Sequence, residues 1–121
     1  MPFSHGQRPL YEVKANLFKG LAHPFRIRIL ELLAEAPERS VADLQTQTGL
    51  EASHLSQHLS VLRRHRLVAS ERRASHVYYR LSDPAVAELL AAARALLLNV
   101  LAAADALLRD ARSLPAIAER R

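Results

Sequence analysis

Three residues, Gly49-Leu50-Glu51, separate two segments whose apolar residues recur at helical spacing. The first, Ser40–Thr48, carries Val41 and Leu44. Ser40 can cap it, with Asp43 three residues on, a variant of the capping box. The second runs from Ala52 to His65, and Leu55, Leu59 and Leu62 fall within about 60° of one another on its surface. Two helices joined by a short turn containing Gly form a helix-turn-helix candidate. Upstream, Leu10, Val13, Leu17 and Leu21 mark helix 1, which ends near Gly20-Leu21. Pro24 opens helix 2 at a natural first-turn position. Ile27, Leu30, Leu33 and Ala34 form its expected buried face, and Pro37 stops it. After His65 the period changes. Leu67–Arg73 and His76–Leu81 are short and rich in Val and Tyr, and read as a β-hairpin about Ala74-Ser75. Ala74-Ser75 lacks the glycine that a tight two-residue loop favours, so the two-residue loop and a wider one both stay open. Ser82 or Asp83 then caps a last helix with Pro84 in its first turn. It runs to about Arg112, where Ser113 and Pro115 end it.

The 121 residues suffice for one domain. Residues 10–112 are expected to form it, between a flexible arm at 1–9, with Pro2, Gly6 and Pro9, and a tail at 113–121. Half of the residues are apolar but only 5% are aromatic, and 22 Leu and 21 Ala stand against three Gly. The core is therefore aliphatic and helical. Cysteine is absent, which excludes a disulfide framework, a thiolate metal site, a catalytic cysteine and a thiol redox sensor. The net charge of +5 is local: residues 51–80 hold six Arg and two Glu. Fifteen of the seventeen basic residues are Arg, which suits phosphate and base contacts but is equally the mark of a GC-rich genome.

That local charge falls on the Ala52–His65 segment, helix 4 in chain order, and on the hairpin. Opposite the leucine stripe lie Ser53, Gln57, Ser60 and Arg64, flanked by His54, Ser56 and Arg63. This face is small and hydrogen-bonding at its start, cationic at its end, and free of acids after Glu51. Gln can bond adenine through two contacts, Ser can bond bases or phosphate, and Arg takes guanine or phosphate. An ordinary solvated face would carry more Glu and Lys. Arg72 and Arg73 precede the hairpin turn and His76 follows it, positions from which a wing can reach phosphates or a minor groove. The plainer reading of Arg72-Arg73 is a charged strand end that keeps the protein soluble. Together the two elements point to double-stranded DNA as the partner.

Three stretches carry a family resemblance: Leu21-Ala22-His23-Pro24-Phe25-Arg26-Ile27-Arg28-Ile29-Leu30, Ser53-His54-Leu55-Ser56-Gln57-His58-Leu59-Ser60-Val61-Leu62-Arg63, and Val77-Tyr78-Tyr79-Arg80-Leu81. Over residues 10–110 the chain resembles the arsenical-resistance-repressor (ArsR/SmtB) family. The resemblance implies a mainly α fold with a small β-hairpin: a dimeric winged helix-turn-helix of four helices, two strands and a fifth helix. It further implies a homodimeric bacterial repressor that reads imperfect inverted repeats with helix 4 and leaves the operator when an inducer binds. Many such proteins hold metal through a Glu-Leu-Cys-Val-Cys-Asp-Leu motif. The matching positions here are Glu38-Arg39-Ser40-Val41-Ala42-Asp43-Leu44, with both thiolates replaced. Others bind zinc through Asp and His on the last helix, and no His follows His76. No metal and no cofactor is therefore expected. His54 and His58 have the spacing of a helical metal pair but lack a third ligand. Packing or phosphate contact is the stronger reading of His58.

The last helix carries Val86, Leu90, Ala93, Leu97, Val100, Ala104, Leu107 and Ala111 at alternating steps of four and three, a 3.5-residue period. A second stripe lies beside it, in Leu89, Leu96, Leu101 and Leu108. One apolar face can pack on its own domain and the other needs a partner. The expectation is a two-fold dimer through helices 1 and 5, with Leu10, Tyr11, Leu17 and Phe18 as co-packers, placing two recognition helices about 34 Å apart. The uncharged run from Ala95 to Ala104 is too short to cross a bilayer, and no secretory signal is evident. The helix is read as buried, in a soluble cytoplasmic protein. No nucleophile elbow, phosphate loop or metal cluster supports an enzyme. A winged-helix module that binds protein instead of DNA would put acids or bulky apolar residues on the exposed face of helix 4. A small apolar inducer between helices 1 and 5 is compatible with the sequence, as is none.

Overall fold

The computed structural model describes residues 8–113. Except for Arg8, Pro9 and Ser113, the expected arm and tail lie outside the described residues. The elements run α1 (Leu10–Leu21), α2 (Pro24–Glu35), β1 (Arg39–Ser40), α3 (Val41–Thr48), α4 (Ala52–Arg64), β2 (Val68–Arg73), β3 (His76–Leu81) and α5 (Pro84–Ser113). This is the winged helix-turn-helix that the sequence implies, with one strand more than expected. The sheet has three antiparallel strands in the order β1-β3-β2. Arg39 pairs with Tyr79 and Ser40 with Tyr78.

The His-Pro-Phe-Arg stretch builds the first corner. His23 Nδ1 accepts a hydrogen bond from Phe25 N (3.1 Å) and so caps α2, with Pro24 in its first turn. Arg26 reaches back to the other helix end, its Nε donating to Gly20 O (2.8 Å) and Nη2 to Lys19 O (3.3 Å). A cation thus occupies the negative end of α1 and satisfies carbonyls that have no helical partner.

The core gathers Ile29, Leu30, Leu32 and Leu33 of α2 with Leu44, Leu55, Leu59, Leu62, Leu67, Val68, Tyr79 and Val86. Each such side chain contributes about 1.5–3 kcal/mol on burial. The expected face of α2 is corrected: Ile29 and Leu32 are buried, Ile27 is half-buried and Ala34 is exposed. α2 packs against α3, α4 and β3 together, so more than one stripe is covered. No polar or charged side chain is buried among the described residues.

The chain divides into two compact units, Met1–Ala87 and Glu88–Arg121. Within the second, every residue of α5 from Ala91 to Ser113 is exposed, including Leu96, Leu97, Val100, Leu101 and Leu107. The reading of this helix as buried does not hold within one chain, because no other element of its own unit covers it. By length and composition alone α5 also suffices to cross a membrane.

Candidate nucleic-acid interface

Local chemistry fixes the helix-turn-helix. Ser40 Oγ accepts from Asp43 N (3.0 Å), as a cap of α3 should. α3 ends on Gly49 at φ 72°, whose N–H donates to Gln45 O (2.9 Å). Only a residue at ease in the left-handed region turns the chain so sharply. Thr48 Oγ1 donates to Leu44 O (2.8 Å) and accepts from Leu50 N (3.3 Å), closing the turn before α4 begins.

α4 sits on the core through Leu55, Leu59 and Leu62. A second attachment holds its middle. The half-buried His58 ring packs 4.4 Å from His23 and 6.1 Å from Phe25, centroid to centroid. Burial, followed by the charges of His23, Arg26 and His54, pushes the His58 pKa below its ordinary value. His58 therefore joins the recognition helix to the cap of α2. No group of three His, Asp or Glu placed to hold a metal occurs among the described residues.

The face opposite the leucines is open. Ser53, His54, Ser56, Gln57, Ser60, Arg63 and Arg64 are all exposed, and α4 has no acid in its first turn. Arg63 Nη1 lies 3.5 Å from Ser70 Oγ, a loose link to β2. The hairpin follows α4 directly, and its register pairs Arg73 with His76, leaving Ala74-Ser75 as the whole loop. The two-residue loop read from the sequence is the one the structure shows: Ala74 takes φ 55° and supplies the turn without glycine.

Arg72 and Arg73 have different surroundings. Alternation along the strand puts them on opposite faces. Arg73 is ion-paired to Glu38, lies 3.8 Å from Glu71, and stacks 3.9 Å over the Tyr78 ring. The hydrogen bond to Glu38 raises its pKa further above the ordinary guanidinium value. Arg72 carries no ion pair among the described residues. With His76 and Ser75 it borders a cleft of about 290 Å³ against Ser40, Val41 and Ala42 at the start of α3. Sequence reasoning missed Arg39. Its Nε donates to Leu32 O (2.8 Å) and its Nη atoms reach Asp43 (2.7 Å) and Glu35 (3.2 Å). It thereby ties α2 to α3 at the edge strand. Glu35 and Asp43, each four residues away, were the available signal.

Of the residues expected at a dimer interface, Val86 is buried in the core of its own chain. Leu90 and Leu17 are half-buried, and Leu10, Ala93, Leu97, Val100, Ala104 and Leu107 are exposed. Tyr11 and Phe18 are also exposed, on an adjacent face of α1.

A helix-turn-helix with an acid-free polar face, followed at once by a basic hairpin, defines a winged-helix DNA-binding domain. The pattern of the bacterial regulatory protein arsR family matches residues 23–70. The chain is 52% identical over 106 residues to the uncharacterized HTH-type transcriptional regulator Rv0081 of Mycobacterium tuberculosis, covering 87% of this chain and 92% of that protein. The crystal structure of Rv0081 superposes with a TM-score of 0.72 at 53% identity, over 78% of this chain and 95% of that one. The solution structure of a homodimeric winged helix-turn-helix DNA-binding domain from Mycobacterium bovis, a possible ArsR-family transcriptional regulator, gives a TM-score of 0.68 at 32% identity, over 80% and 89%. The biofilm growth-associated repressor of Xylella fastidiosa is 40% identical over 76 residues, covering 63% of this chain and 66% of that protein. The chain belongs to the arsR family of bacterial regulatory proteins. It is a DNA-binding transcriptional regulator, not an enzyme.

Proposed function

We propose that the protein is a homodimeric, cytoplasmic repressor that binds an inverted-repeat operator with α4 in the major groove. The observation that carries this reading is the open face of α4. Seven polar or cationic side chains, from Ser53 to Arg64, stand exposed with no acid among them, on a helix held rigidly by three buried leucines and His58. Ser53, Gln57 and Ser60 read base edges there, while Arg63 and Arg64 meet guanine or phosphate. His54 and Ser56 flank them. Arg72 and His76 on the wing supply backbone contacts. The exposed apolar stripe of α5, with Tyr11 and Phe18 of α1, forms the two-fold contact that sets two copies of α4 about one DNA turn apart. The homodimeric relative and the relative named as a repressor support the same assignment.

The test is fluorescence anisotropy on the DNA just upstream of the protein's own gene, against random DNA, across a salt series. Selective binding at two protomers per site is expected, with a slope that counts phosphate contacts. The double substitution Gln57→Ala and Arg64→Ala abolishes the selectivity while light scattering still reports the dimer. Equal affinity for both DNAs in the unaltered protein refutes the operator reading.

A further inference from the structure

A groove of about 370 Å³ runs between α1 and the end of α4, within the range of about 300–1,000 Å³ that small-molecule sites occupy. Leu10, Val13 and Leu17 form its apolar side, and Lys14, Arg64 and Arg66 bring three cations to it; Leu10 and Leu17, expected from the sequence at the dimer contact, border the end of α4 instead and leave that contact to Tyr11 and Phe18. No carboxylate lines it. α1 and α4 meet closely beside it, because Gly20 has no side chain: a Cβ there would lie 2.7 Å from His65 Cγ.

Arg66 is the unusual residue. It follows the last turn of α4 at φ 61°, in the left-handed region where glycine normally ends a helix. Its N–H donates to Arg63 O (3.0 Å), the next N–H, of Leu67, donates to Leu62 O (2.9 Å), and its carbonyl accepts from Ser82 Oγ (2.7 Å). The backbone is thus held in a strained conformation while the side chain borders the groove. Strain of this kind persists where the surroundings over-determine it, and it collects at binding sites. A DNA phosphate would use the cations and gain nothing from three aliphatic side chains. A neutral apolar molecule would leave the cations unanswered.

We propose that this groove binds a small amphipathic carboxylate, its tail along Leu10, Val13 and Leu17 and its head between the Arg66 and Arg64 guanidinium groups. Arg64 belongs both to the groove and to the DNA-reading face, so an occupied groove draws it away from the operator. This second step rests on the DNA-binding reading above; the binding step does not.

Octanoate is the probe and octan-1-ol its uncharged control, added to the full-length protein. Without DNA, nitrogen-15 amide spectra and calorimetry are expected to show octanoate shifting Val13, Leu17 and Arg66 and binding at least about tenfold more tightly than the alcohol. Arg66→Gly relaxes the helix end and removes one cation. It weakens octanoate binding about tenfold and leaves operator affinity unchanged. On the operator, octanoate releases the unaltered protein and spares the variant. The proposal is overturned if the alcohol binds as well as the acid, or if Arg66→Gly binds octanoate normally. It is also overturned if the groove amides respond only in a monomeric variant, which assigns the groove to a second copy of the chain. A drop of about 1 in the salt slope of Arg66→Gly assigns it to DNA phosphate and overturns it too. Octanoate binding in a protein that does not distinguish operator from random DNA refutes the repressor reading and supports the groove.

Discussion

Arg73 is engaged by Glu38, Glu71 and Tyr78, whereas Arg72 beside it faces a cleft without an ion pair among the described residues. The two therefore differ in what they offer a polyanion. Arg72→Ala is expected to lower the salt slope of operator binding by about 1, as loss of one phosphate contact does. Arg73→Ala keeps the slope and weakens affinity by loosening the wing. A salt series on both variants separates the cases, and equal slopes for the two would refute the distinction. His58 gives a pH prediction. Its pKa in the folded protein lies below the ordinary 6.5 through burial first, then through His23, Arg26 and His54. As pH falls through 6.5 the unfolded chain takes up this proton first, so its stabilising contribution drains away until the folded pKa is passed. Thermal melts between about pH 7 and pH 5 should lose less stability in His58→Gln than in the unaltered protein. Identical pH profiles would show that His58 does not carry the effect. Both residues were visible in the sequence as candidates. The Glu38 partner and the His23 neighbour were not, because each contact joins segments far apart in the chain.

At the scale of the element, two glycines do different work. Gly49 stands at φ +72° with nothing within 4 Å of the place a Cβ would take. Gly49→Ala therefore costs only backbone strain, about 1 kcal/mol. Gly20 sits in a helix and has ordinary dihedral freedom, but its missing Cβ makes room for His65. Gly20→Ala costs about 1–3 kcal/mol by overpacking, and it disturbs the junction of α1 with α4. Urea denaturation ranks the pair, with Gly20→Ala the less stable; the reverse order contradicts the close approach. Helix ends were legible because caps and breakers are local: Ser40, Gly49, Pro24 and Pro84 each act within a few residues of themselves. β1 was not legible. Two residues show no period, and Arg39-Ser40 is a strand only because Tyr78 and Tyr79 come alongside.

For the whole molecule, the exposed length of α5 is the dominant fact. Leu97, Val100, Leu101 and Leu107 are each more than half exposed in one chain, a patch that soluble monomers rarely tolerate. Leu97→Glu with Val100→Glu is expected to give a folded monomer with unchanged helical signal. Operator affinity falls at least about a hundredfold, since each half-site must then be bound alone. Sedimentation and anisotropy read the two outcomes. A dimer that survives both charges would move the interface elsewhere. Val86 marks where the expected stripe went wrong: the 3.5-residue repeat runs unbroken through it, yet Val86 belongs to the core of its own chain.

The sequence by itself determined the order of the five helices and the hairpin, the helix-turn-helix, the leucine stripe under α4 and the polar face above it. All of these rest on periodicity and on capping chemistry, whose range is a turn or two of chain. Only the tertiary structure decided the third strand, the pairing of Arg73 with Glu38, the packing of His58 on His23, and the groove that Arg66 borders. Those depend on which distant segments the buried leucines bring together, and no pattern local to any one segment encodes that.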